Sequence, residues 1–471
     1  MKNRILLLAV TLMLALTAFA QRKAKYVFYF IGDGMGVNQV NGTETFLAAK
    51  EGRIGTIPLC FTQFPAVALI TTQSATNGVT DSAAGGTALA CGKKTRNKAL
   101  GVLEDGKTPI YSVANWAQKS GAAVGISTTA SIDHATPASF YAHVPKRDLY
   151  YTIGQQLAES QFDFFAGSDF LEPESKKNAG KNLYEQCREA GYTIARGYAD
   201  YAPKAQAEKL ILLQTEAASA INRSCLPYAI DRQEGDLSLK QITTAGLDFL
   251  QQKKKKGFFF MIEGGKIDWA CHANDAAATF HEVVDMDEAI KVAFEFYQKY
   301  PKETLIVVTA DHETGGIALG MGPYELHTEV LQYQKMSSEA YSAHLSNLCK
   351  EAGKNLTWNM LKEDLKAHWG FWDKIPLDKE QTKQLKKAAL DILTHSEEEK
   401  VKNLYGSLNQ LAETARHIIN DIALVGWQSG GHSNGYVPLF AIGAGAELFN
   451  GKYDNTLIPQ KIAKAAGWKA E

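Results

Sequence analysis

Long, nearly unbroken apolar runs recur at residues 26–31, 66–72, 122–128, 257–262, 304–309 and 437–442, rich in β-branched and aromatic side chains. A strand with one wet face alternates apolar and polar residues, whereas unbroken runs such as 26–31, 122–128, 257–262 and 304–309 mark strands covered on both faces, as in a parallel sheet. Shorter strands are expected at 162–166 and 210–213, and helices at 182–190, 239–252 and 276–300. Strands alternating with helices define an α/β class, a central, mostly parallel sheet flanked by helices. Residues 319–424 break that rhythm. They read as helical and charged, with Trp358, Trp369 and Trp372 close in sequence, and predict a helical insertion before the last site motif that could cap a cleft.

The first 20 residues stand apart. A basic start (Lys2, Arg4), an apolar stretch from Ile5 to Phe19 and the small-x-small ending Ala18-Phe19-Ala20 match a secretory signal peptide cut after Ala20. The apolar run is shorter than the roughly 20 residues a membrane span needs. The mature chain, one α/β domain over residues 21–471, is expected to be exported to the periplasm or the extracellular space without a membrane span. Lys+Arg 50 against Asp+Glu 51 leaves a net charge of -1, which argues against nucleic acid as a specific partner. Six cysteines without CxxC spacing argue against a cysteine-based zinc site.

Chemistry-bearing residues gather where the apolar runs end. The first run stops at Gly32-Asp33-Gly34-Met35-Gly36, and ligands in open α/β sheets collect beyond the carboxyl ends of strands. After the second run, Thr80-Asp81-Ser82-Ala83-Ala84-Gly85-Gly86-Thr87 places Ser82 at a helix N-terminus, where exposed backbone N–H groups attract anions. An ordinary helix cap explains this stretch equally well when it is taken alone. Later run ends deliver His134 and Thr136, then Glu263, then Asp268 and His272 four residues apart on one helical face, then Asp311 and His312. His432 stands on a glycine-flanked loop before the last run, and Arg147 lies in a polar segment where it could serve an anion. On a helix Cys271 points about 100° away from His272 and reads as packing. His281, His344, His368, His395 and His417 sit in helical patterns without glycine or acid motifs and are expected at the surface. Each motif alone has a bland explanation, but strand ends in a parallel sheet converge on one edge, and together they predict one site.

Ile31-Gly32-Asp33-Gly34-Met35-Gly36, Val79-Thr80-Asp81-Ser82-Ala83-Ala84, His134-Ala135-Thr136-Pro137, Glu263-Gly264-Gly265-Lys266-Ile267-Asp268-Trp269-Ala270-Cys271-His272, Thr309-Ala310-Asp311-His312-Glu313 and Gly431-His432 resemble, in order, the motifs of the alkaline phosphatases. The resemblance runs from about Tyr26 to the C-terminus, apart from the helical insertion. It implies a phosphomonoesterase with two zinc ions and one magnesium, acting on small-molecule phosphate monoesters. Ser82 would be the nucleophile that forms a phosphoserine intermediate, and Arg147, oriented by Asp81, would clamp the phosphoryl oxygens. Asp268, His272 and His432 would hold one zinc. Asp33, Asp311 and His312 would hold the second, with Ser82 as a further ligand, and Asp33, Thr136 and Glu263 would hold the magnesium. Some members carry Asp where this chain has His134 and Lys where it has Trp269, so His134 would reach the third metal through water or draw zinc into that site instead. A serine hydroxyl is a poor nucleophile near neutral pH, and no histidine lies beside Ser82, so activation would fall to a metal. The family is commonly homodimeric, and a homodimer is expected on that ground alone. Two other readings stay open: a phosphodiesterase of the same superfamily, and a phosphate- or metal-binding protein without catalysis.

Overall fold

Strand β1 (Tyr26–Gly32) forms the middle of a ten-stranded sheet, and apart from Tyr26 at its start every residue in it is buried, as its unbroken apolar sequence requires. The structure is a computed structural model that describes residues 23–175, 180–394, 400–402 and 407–470, so the expected signal peptide and His395 lie outside the described residues. The other strands of the sheet are β2 (Ala66–Thr71), β3 (Ala123–Thr128), β4 (Phe164–Gly167), β5 (Tyr192–Arg196), β6 (Lys209–Leu213), β7 (Phe258–Gly264), β8 (Thr304–Thr309), β9 (Val437–Gly443) and β10 (Gly451–Asp454). Their spatial order is β10-β2-β9-β8-β1-β7-β3-β4-β6-β5. The sequence reading did not include β5 and β10. Both are the edge strands, half-exposed, and so lack the apolar runs that gave the others away.

Register decides what the sheet can present. β1 pairs in parallel with β7 and β8 so that Ile31 lies opposite Glu263 on one side and Thr309 on the other. Asp33, Glu263 and Asp311 therefore leave the sheet at nearly the same level. β9 runs antiparallel to both its neighbours, β8 and β2, while the other pairings of this sheet are parallel. That single reversal explains how His432 joins the others: it precedes its strand, and the N-terminal end of an antiparallel strand lies at the carboxyl edge of its neighbours. Glu313–Thr314 and His432–Ser433 pair there as a small antiparallel ladder.

Helices cover both faces. Those that shape the site are α1 (Val37–Lys50), α2 (Ser82–Cys91), α3 (Leu239–Gln251), α4 (Lys266–His272) and α5 (Ala276–Lys299). Of these, α2 is buried along its whole length, which only its run of Ala, Gly, Ser and Thr allows. Residues after Leu319 contribute α6 (Ser338–Ala352), α7 (Trp358–Trp369), α8 (Lys379–Ala388) and α9 (Gln410–Ala423). These build their own apolar core around Leu345, Leu361, Trp369, Leu385 and Ile419, and it joins the main body through Phe46 of α1 and Phe280 of α5, whose rings lie 5.8 Å apart. Among the described residues no helix is long and apolar enough to cross a membrane.

Candidate active site

Asp81 organises the entrance. As the N-cap of α2 it accepts hydrogen bonds through Oδ1 from the Ala84 amide at 3.1 Å and the Lys98 amide at 3.0 Å, while Oδ2 lies 3.4 Å from Arg147 Nη1. The cap that fixes the helix thus also aims the guanidinium. Ser82 follows as the first residue of α2 and is fully buried, with its Oγ 3.2 Å from His312 Nε2. The expectation that no histidine lies beside Ser82 is therefore corrected. His312 reaches it from the end of β8, 230 residues further along the chain, a proximity that only the sheet creates.

The histidines share one arrangement. His272 Nδ1 lies 2.6 Å from the Gly430 carbonyl, His432 Nδ1 2.8 Å from the Thr80 carbonyl, and His312 Nδ1 3.2 Å from Thr314 Oγ1. For His272 and His432 the carbonyl can only accept, so each Nδ1 donates a proton and Nε2 is the ring nitrogen turned into the group. Ligating histidines are commonly held in this way. Their Nε2 atoms converge on carboxylates: His272 on Asp268 at 3.2 Å, His432 on Asp268 at 3.7 Å, and His312 on Asp33 and Asp311 at 3.3 Å each. The donor atoms of Asp268, His272 and His432 form one compact group, and those of Asp33, Asp311 and His312 a second.

A third group joins Asp33, His134 and Glu263. Thr136 Oγ1 lies 3.3 Å from Asp33 Oδ2, and Thr128 Oγ1 hydrogen-bonds to Glu263 Oε2. His134 Nε2 accepts from Arg147 Nη2 at 3.1 Å, and burial, together with that guanidinium, pushes the imidazole down to about 3. All eleven residues expected at the site are therefore brought to one edge of the sheet. Cys271 behaves as read from sequence: its Sγ contacts Gln39 and Thr279, not the histidines.

Charge is concentrated here. Asp33, Glu263, Asp268 and Asp311 are fully buried together. Burial first, and then the neighbouring acids, push Asp33 and Asp311 well above the ordinary carboxylate range, and burial lifts Glu263 to about 7. Asp268 moves the other way: burial opposes its ionisation, but His272, His432 and His312 reverse the balance. Among the described residues no hydrogen bond reaches Glu263 Oε1, Asp33 Oδ1 or Asp311 Oδ2, and His312 Nε2 stands 3.3 Å from the carboxylates of the last two. Buried oxygens with so few donors fit cations, and the mixed imidazole and carboxylate sets suit zinc whereas the oxygen-rich third set suits a harder ion.

Outside these groups the site opens into a cleft of about 700 Å³ bordered by Asp81, Lys98, His134, Arg147, Tyr150, Trp269 and His432 among others. Sequence reasoning passed over Thr314, whose hydroxyl bridges Asp268 Oδ1 at 2.6 Å and His312, and Glu313, which accepts from Gln39 at 2.7 Å and from Ser433. Glu313 closes a recognised motif and Thr314 stands directly after it, and that adjacency was the available signal. Gly34 has φ +71°, and a Cβ there would lie 2.8 Å from Thr314 Oγ1 and 2.9 Å from Asp268.

The alkaline phosphatase family model matches residues 24–165 and 164–468. Alkaline phosphatase 3 of Bacillus subtilis is 31% identical over 451 residues, spanning 94% of this chain and 89% of its own. Among solved structures, the cold-active alkaline phosphatase of a psychrophilic Shewanella species superposes with a TM-score of 0.77 at 27% identity, covering 94% of this chain and 99% of its own. The alkaline phosphatase of Thermus thermophilus gives the same TM-score at 28% identity, with 95% and 92% covered.

Two substitutions at position 81 separate the roles of Asp81. Asp81→Ala should cost about 1 kcal/mol through loss of the helix cap, whereas Asp81→Asn, an equally good cap, should leave stability near that of the parent. Both should weaken binding of inorganic phosphate, since both remove the charge that aims Arg147. Denaturant unfolding and phosphate inhibition read the two effects, and equal stabilities with unchanged inhibition would refute the double role. Gly34→Ala should lower the melting temperature and the divalent metal retained after dialysis; a variant matching the parent in both would show that the close approach is not needed.

Proposed function

The chain belongs to the alkaline phosphatase family and is a phosphatase, and from that premise we propose that it is an exported phosphomonoesterase working through a phosphoserine intermediate. The observation that carries this reading is Ser82 Oγ at the start of a buried helix, facing His312 and flanked by Arg147 on its Asp81 support. The compact donor groups support two zinc ions, one held by Asp268, His272 and His432 and one by Asp33, Asp311 and His312 next to Ser82. Asp33, Thr136 and Glu263 would hold a magnesium, and His134, in the same group, offers the nitrogen that would favour zinc there instead. Bound metal supplies Lewis acidity, which lowers the pKa of a hydroxyl or water and offsets charge on the transferring phosphoryl group.

The chain's own residues do the rest. Arg147 offers a planar fork matched to two phosphoryl oxygens, and Asp81 keeps it in place before substrate arrives. The first backbone amides of α2, before the Ala84 amide that Asp81 holds, would add hydrogen-bond donors next to Ser82. Ser82 Oγ forms its bond to phosphorus as the ester oxygen departs, and water then cleaves the phosphoserine, so the sum is ester plus water giving alcohol and phosphate. A terminal phosphoryl group presents the oxygens that Arg147 can grip, and for this reason monoesters are favoured over diesters. Export rests on residues 1–20, and N-terminal sequencing of the secreted protein should begin at Gln21.

Hydrolysis of a chromogenic monoester and its matching diester at mildly alkaline pH tests the reading. The monoester should be strongly preferred, activity should vanish with chelator, and zinc plus magnesium should restore it. Preference for the diester would overturn the substrate claim. Ser82→Ala should abolish acid-trapped phosphoenzyme while keeping metal content near that of the parent; normal turnover would remove Ser82 from its role. Arg147→Ala should lower kcat/KM by about 10- to 1000-fold, in keeping with the loss of one charged donor to the transition state, and leave the fold intact.

A further inference from the structure

A second, separate set of metal-ligand residues lies between helices α6 and α7. His344 on α6 meets Asp364 and His368 on α7, and one donor atom from each lies within 4.8 Å of the others. Asp364 Oδ1 is 2.7 Å from His344 Nε2 and 3.4 Å from His368 Nδ1. These two histidines were expected at the surface; both are instead half-buried, with rings 4.7 Å apart. None of the three residues belongs to the active site, and nothing in the proposed reaction uses them.

Supporting contacts hold the trio in place. Buried Tyr341, one turn before His344, donates to Asp364 Oδ2 at 2.8 Å, and its ring lies 5.9 Å from His344 and 5.8 Å from His368. His368 Nδ1 also lies 3.0 Å from the Asp364 backbone carbonyl. Nδ1 is also the ring nitrogen that lies beside Asp364 Oδ1, so an ion held through it would take the place of this carbonyl bond. The spacing repeats: Asp364 and His368 stand four apart on a helix, as Asp268 and His272 do. His344 keeps a side-chain exposure of 35%, so water has access to the group.

We propose that His344, Asp364 and His368 bind a divalent transition-metal ion of the zinc type, which staples α6 to α7. Two imidazoles and one carboxylate leave room for a solvent ligand in a tetrahedral set, and nitrogen donors select against magnesium and calcium. The ion would tie together the helices after Leu319 without entering catalysis.

Zinc counting on the purified full-length protein, dialysed against dilute zinc and analysed by plasma mass spectrometry, tests this independently of activity. His344→Ala, His368→Ala and Asp364→Asn should each lose about one equivalent per chain, with monoester turnover kept within about twofold. Asp364→Asn is nearly isosteric and can still accept from Tyr341, so it carries the test if the alanine variants fail to fold. Zinc content equal to the parent's in Asp364→Asn and in any folded alanine variant would overturn the proposal, leaving the trio a hydrogen-bonded brace.

Discussion

Four carboxylates buried at one edge of one sheet are the constraint on which the rest of the site depends. Like charges about 4 Å apart repel by roughly 4 kcal/mol at an effective dielectric near 20, and a whole domain is stable by only about 5–15 kcal/mol. Asp33, Glu263, Asp268 and Asp311 cannot all be ionised together without cations. Protonation would quiet the repulsion but would also remove the acceptors that distinguish this edge from ordinary core. Divalent ions are the alternative that keeps the charges, and the Nδ1 bonds of His272 and His432 leave their Nε2 atoms turned toward these acids. Gly34 belongs to the same constraint, since a side chain there would push Asp268 and Thr314 out of the group.

Orientation is achieved by backbone rather than by bulk. Gly430 and Thr80 present carbonyls that set two imidazole tautomers, and both lie in loops whose course is fixed by flanking strands and by α2. Asp81 extends this economy to the substrate side, because one carboxylate caps the helix and braces the guanidinium. Damage to the cap is therefore damage to anion binding, a coupling that a contact list for either residue alone would hide.

Most of this was legible because both-face burial leaves unbroken apolar runs, and such runs announce where strands end. Asp33, Glu263 and Asp311 could be placed at one sheet edge from that alone, and the pairing of β1 with β7 and β8 brings them level, with strand ends within two residues of those expected. The edges were not legible: β5 and β10 are half-exposed and carry no continuous run. Nor could sequence reveal that β9 runs backwards, since a run has no direction until its neighbours are known. His312 beside Ser82 and His344 beside His368 failed for one reason. Periodicity assigns a residue to a face of its own element and says nothing of which other element that face will meet.

That same distance along the chain orders the events of assembly. Gly34 bonds to Asp311 across 277 residues, and His432 bonds to Thr80 across 352. The two groups that hold His312 and His432 are incomplete until β8 and the segment before β9 have docked beside β1 and β2, so no short segment of the unfolded chain holds either ligand set. An ion that binds only the assembled edge stabilises the folded state in proportion to its free concentration over its dissociation constant, and does nothing to guide the early chain. The sheet must therefore form on its apolar runs alone, carrying the unfavourable cluster of acids until metal arrives. The dense aromatic packing of the central strands against α5, with Phe28, Phe258 and Phe296 in mutual contact, is what lets it do so.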